Sequence, residues 1–201
     1  MQPKKVFAVC FFLCALLFLL SAVFLAKEYL HVIAMHMGIF FLAMFFIWKD
    51  TAEQTMRSIG IPGNIKKNII YTAIGFFAIM VSFILLNVIA LNFQQINDSE
   101  KVAQRIITLP GYLIFFAVVI VPITEEMFFR GFLTTRFGII ISSILFGVSH
   151  IAYGSVMEIL GAFIVGLIFA YIYKKSGSII PSITLHFFYN LISVLIIGNG
   201  I

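Results

Sequence analysis

Long apolar runs alternate with short polar breaks along the whole chain. Seven apolar segments stand out, at about 6–26, 30–48, 69–91, 106–124, 139–151, 157–173 and 179–197. Runs near twenty residues match a hydrocarbon core about 30 Å thick, spanned at about 1.5 Å per residue. In lipid, a helix satisfies its backbone groups without pairing to another segment, so the pattern predicts an all-α fold, a polytopic transmembrane helix bundle. The fifth segment is short for a full span and is expected to be tilted or extended by its neighbours. Two polar stretches interrupt the pattern. In 49–68, Ile61-Pro62-Gly63-Asn64 marks a turn. The other, 92–105, reads as a loop and holds the formal glycosylation sequon Asn97-Asp98-Ser99. Gly177 after Lys174-Lys175 suits a helix C-terminus, and Pro181 suits the first turn of the next helix. Ala162 and Gly166, with Gly161, form a small-residue face that lets another helix approach.

Composition agrees with this reading. The 201 residues are 62% hydrophobic and 10% charged, whereas a soluble domain is nearer half apolar and a quarter charged. One integral membrane domain is expected, with accessory helices in 1–105 and a functional helical core in 106–198. The net charge of +5 matters by location. No basic run with interleaved polar or aromatic residues suggests nucleic acid as a partner. With the N-terminus inside, ten Lys and Arg fall on the inner side and three (Lys27, Lys101 and Arg105) on the outer. That bias predicts a cytoplasmic N-terminus and, for seven spans, an outer C-terminus. The first segment follows Lys4-Lys5 like a signal peptide. It is too long for an h-region and lacks a small-x-small cleavage site, so it is expected to be a retained helix. Cys10 and Cys14, one turn apart in that segment, read as packing residues.

Charge inside the apolar sequence carries the functional argument. Glu125-Glu126-Met127-Phe128-Phe129-Arg130 follows a run that belongs in a bilayer, where ionisable groups are costly and mark function by default. On a helix, Glu126 and Arg130 share a face and can pair, while Glu125 lies about 100° away without an obvious partner. One carboxylate would be held and the other free, the division general-base chemistry needs. Arg136 and Gly138 mark an inner-side turn. Counted from it, Glu125 lies about 16 Å up one helix and His150 about 18 Å up the next. Counted from Lys175, His186 lies about 16 Å up. Three titratable groups from three helices are thus expected near one level. Phe146 is one turn from His150, and Asn190 one turn from His186. His31 and His36 share no face, and no carboxylate is expected at their level; they read as packing or interfacial residues. Glu158 reads as a solvated first-turn acid. Ser149 lacks the context of a serine nucleophile.

Glu125-Glu126-x-x-x-Arg130-Gly131, Phe146-x-x-x-His150 and His186-x-x-x-Asn190, in this order, resemble the signature of the CPBP family. These are the CAAX proteases and bacteriocin-processing enzymes, also called the Abi family. The resemblance covers roughly 106–195 and extends to Gly166, Lys175-Ser176-Gly177-Ser178-Ile179 and Pro181. It implies an intramembrane endopeptidase acting on a membrane-associated peptide or protein, in peptide processing or bacteriocin self-immunity, within the lipid bilayer of the plasma membrane. By that resemblance Glu125, assisted by His150, activates water. His186 and Asn190 stabilise the oxyanion, and Glu126, Arg130 and Phe146 support the site. No cofactor is required in that mechanism; the metal-dependent alternative has zinc on Glu125, His150 and His186. Two other readings of the same residues stand beside it. One is a non-catalytic immunity or scaffold protein. The other is a proton-coupled transporter, for which no paired broken helices are visible.

Overall fold

The computed structural model describes residues 30–49, 51–92, 98 and 100–198. The predicted first segment with Cys10 and Cys14, and Asn97 and Ser99 of the sequon, lie outside the described residues. Among the described residues every regular element is helical: α1 (Leu30–Ile47), α2 (Ala52–Ser58), α3 (Ile65–Asn92), α4 (Glu100–Ile107), α5 (Gly111–Phe115), α6 (Val121–Glu126), α7 (Thr135–Ser149), α8 (Val156–Ser176) and α9 (Ile180–Gly198). Two π-helical segments, Phe116–Ile120 and Met127–Thr134, join α5, α6 and α7 into one run that carries both glutamates. Four stretches are long and apolar enough to cross a membrane: Ile65–Ala90, Gly111–Tyr153, Val156–Ser176 and Ile180–Gly198, while His36–Ile47 is a shorter apolar helix. The chain is therefore a multi-pass integral membrane protein. The apolar side chains α3 leaves exposed, such as Ile69, Phe77, Ile84 and Leu85, suit contact with lipid tails.

The predicted fourth segment is displaced. Helix begins at Gly111, after Pro110, and continues past the glutamates to a bend at Gly138, where φ is 83°. That conformation favours glycine. The bend lies at the turn expected from Arg136 and Gly138. The fifth segment is extended, as expected, by a 3-10 turn at Ile151–Tyr153. The predicted loop at 92–105 contains α4, an amphipathic helix with no buried residue. The 49–68 stretch also gains a helix, α2, which Thr51 and Gln54 start with a reciprocal capping box. The end of that stretch docks on the α8–α9 turn: the Ile179 N–H donates to the Ile59 carbonyl at 3.0 Å.

The first π segment has a local cause. Pro122 has no N–H, and the Val121 N–H reaches back five residues to Phe116. The Ala117 carbonyl is left without an intrahelical donor, and Asn190 Nδ2 from α9 donates to it at 2.9 Å. Such π turns collect at functional sites, and here two of them bracket Glu125 and Glu126. Of the predicted small face, Gly166 makes a close approach and Gly161 does not, since a Cβ there would meet nothing within 4 Å. A Cβ on Gly166 would meet Phe146 at 3.1 Å, and one on Gly147 would meet the Ile159 carbonyl at 3.0 Å. Gly147, unremarked in the sequence, is the other half of the close α7–α8 approach. Two further contacts set the height of α1. Arg136 Nη2 donates to the Phe46 carbonyl at 3.0 Å, and the Phe46 ring stacks on Phe132 at 4.6 Å.

Candidate active site

Glu126 and Arg130 pair as their spacing predicts. Arg130 Nε lies 3.0 Å from Glu126 Oε2, with both side chains essentially inaccessible. A buried charge needs a partner and further contacts to be tolerated. Arg130 Nη2 donates to the Gly166 carbonyl at 3.4 Å. Its guanidinium lies over Phe146 at 4.4 Å and Phe169 at 5.1 Å, a cation–π arrangement of the kind that stabilises desolvated cations. Phe146 thus supports the arginine as well as the histidines. Its ring centroid is 4.9 Å from that of His150 and 5.8 Å from that of His186.

The other oxygen of Glu126 faces His186 Nδ1 at 3.0 Å. Because Arg130 holds Glu126 as a carboxylate, Nδ1 carries the hydrogen and donates. The opposite nitrogen, His186 Nε2, lies 3.8 Å from Glu125 Oε2. Glu125 is buried, 6% exposed, yet its Oε2 makes no hydrogen bond among the described residues. The held and the free carboxylate are both present, connected through one imidazole.

Sequence reasoning misplaced His36. It was expected away from any carboxylate, but its Nδ1 lies 3.6 Å from Glu125 Oε1. The side chain is buried, and Nδ1 is without a hydrogen-bond partner among the described residues. The height of α1, set by Arg136 and Phe46, brings it there. The side chain of His31 lies outside the described residues. Glu158 is also corrected: it is half-buried, and it lies within electrostatic reach of His150 and Glu125 rather than solvated. Its amide is capped by Ser155 Oγ at 3.0 Å.

His150 caps the end of α7. Its Nδ1 lies 2.8 Å from the Phe146 carbonyl, which can only accept. Nδ1 therefore carries the hydrogen, and Nε2 is the basic nitrogen. Ser149 donates to the same carbonyl at 2.7 Å. Tyr153 stacks on His150 at 5.9 Å. It also lines a recess of about 350 Å³ with Lys101, Gln104, Arg105, Thr108 and Gly154. Asn190 is half-buried and spends one N–H on Ala117, keeping the second. The alternative zinc set of Glu125, His150 and His186 does not fit this arrangement. Among the described residues no three His, Cys, Asp or Glu are gathered as ligands.

Glu125, Glu126, Arg130, Phe146, His150, His186 and Asn190 all fall within one matched stretch. Residues 107–192 match the family model described as type II CAAX prenyl endopeptidase, Rce1-like. No curated protein and no solved structure matches the chain.

Proposed function

We propose, for a chain whose residues 107–192 match the model of the Rce1-like type II CAAX prenyl endopeptidases, that it hydrolyses a peptide bond of a membrane-associated peptide or protein with water activated at Glu125. The observation that carries the reading is the asymmetry of the two glutamates. Glu126 is locked between Arg130 and His186, while Glu125, also buried, is left with free acceptor capacity between imidazoles. In this reading Glu125 acts as the base and His186 Nε2–H as a donor.

Glu125 takes a proton as the water oxygen attacks the scissile carbonyl carbon, with the basic Nε2 of His150 orienting the water. His186 Nε2–H and the remaining Asn190 N–H stabilise the oxyanion. Collapse breaks the C–N bond, and Glu125 returns its proton to the leaving amine. The Lys and Arg bias supports a cytoplasmic N-terminus; on this reading 1–105 is accessory and 106–198 catalytic, with seven spans in the plasma membrane.

The test compares the membrane peptidome of cells carrying wild-type and Glu125→Gln protein. Products of the wild type should disappear in the variant, and a peptide spanning the cut site should lose about 10²–10⁴ in rate. Normal cleavage by folded Glu125→Gln overturns the assignment. The family name points to prenylated CAAX proteins, so the same peptide with and without a farnesyl group tests whether this chain shares that preference.

A further inference from the structure

Glu125 has two carboxylate oxygens, and each faces a different imidazole: His186 Nε2 at 3.8 Å from Oε2 and His36 Nδ1 at 3.6 Å from Oε1. His186 belongs to the matched domain. His36 does not: it lies on α1, outside residues 107–192. Its ring meets Phe116 edge-on, with centroids 5.9 Å apart. Phe116 opens the first π segment, so the distortion that precedes Glu125 also seats His36. A polar ring nitrogen buried without a partner is costly, on the order of 1–3 kcal/mol, and native proteins retain such a group where it serves a purpose. Packing alone would be served better by Phe or Leu, which abound in this chain.

We propose that His36 is a positioning residue for the hydrolytic base, donating from Nδ1 to Glu125 Oε1 once substrate closes the site. The hydrogen bond would fix the carboxylate rotamer and leave Oε2 to handle the proton. The residues 107–192 would then form an incomplete active site that α1 completes. This inference rests on Glu125 being the base. The charged and titratable groups around His36 are Glu125 on α6, His150 at the end of α7 and His186 on α9.

Its test uses full-length protein in detergent micelles and the internally quenched peptide bearing the cut site found by the peptidome comparison. His36→Phe keeps the ring volume and removes the donor. His36→Asn keeps a donor near the Nδ1 position. The expected result is a kcat lowered by about 10–100-fold in His36→Phe, the scale for losing a residue that orients a reacting group, with KM unchanged and most of the rate recovered in His36→Asn. Wild-type kcat in His36→Phe, or equal loss in both variants, overturns the role. A parallel Glu125→Gln sample separates the two claims: if it is inactive while His36→Phe is fully active, His36 falls and the base stands. If Glu125→Gln is itself active, both fall.

Discussion

Replacing Arg130 by Met should be among the most damaging single changes to stability. The side chain is 1% exposed and the Glu126 carboxylate opposite it 0%, so the substitution strands a carboxylate with no route to solvent. Removing one partner of a buried pair costs about 3–5 kcal/mol, and losing the guanidinium from the face of Phe146 at 4.4 Å adds about 1–2 kcal/mol. His186 can take up part of the stranded charge through its 3.0 Å contact with Glu126, so the lower end of the range is expected. For a chain of this size that corresponds to a fall in Tm of about 10 °C. Thermal unfolding in micelles would measure it, with Glu126→Gln and the double variant alongside. The double variant removes the stranded charge and should recover more than half of the loss. If Arg130→Met keeps the wild-type Tm, or the double variant is no better than the single, the Glu126–Arg130 pair is not a coupled buried unit.

Two further perturbations test the frame around the site. Asn190→Leu orphans the Ala117 carbonyl that Pro122 leaves free, costing about 1–3 kcal/mol. It should lower Tm and kcat together, whereas Asn190→Asp, which cannot donate while ionised, should fail in the same way; an unchanged Tm in both would remove the structural part of its role. Asp98 caps the start of α8 from afar, accepting from Ser155 Oγ at 2.7 Å and from the Val156 and Met157 amides. Burial pushes its carboxyl up, but these hydrogen bonds and nearby Lys101 outweigh that and hold it at about 2, below the ordinary 3.8. A lowered pKa stabilises the fold above about pH 4, and that contribution is lost as pH falls towards 2. Asp98→Ala should therefore cost about 0.5–2 kcal/mol at pH 7. The gap from wild type should close by pH 2, as read from thermal unfolding at both values.

The elements were legible where one local rule decided them. Apolar run length gave α3, α8 and α9, glycine chemistry gave the Gly138 bend and the Gly177 cap, and helical spacing gave the Glu126–Arg130 pair. The level of His186 was readable because an uninterrupted helix leads to it from the Gly177 turn. What could not be read depended on groups far apart in sequence. The first π segment frees the Ala117 carbonyl at Pro122, and the group that satisfies it, Asn190, lies 68 residues later. The loop at 49–68 holds a short helix because a capping box and a docking surface, not an apolar run, stabilise it.

His36 shows the same limit at the site itself. Depth by counting needs a fixed reference, and the nearest charge on its segment, Lys49, puts it about 20 Å up. The actual reference is the Phe46 carbonyl, held by Arg136, the same residue from which Glu125 is counted. From that shared point His36 is ten residues along α1 and Glu125 eleven along its own helix, about 15 and 16 Å. Arg136 therefore does more than mark a membrane boundary. It ties the height of α1 to that of the helix bearing the base, so a helix outside the matched stretch delivers an imidazole to the level of the carboxylate.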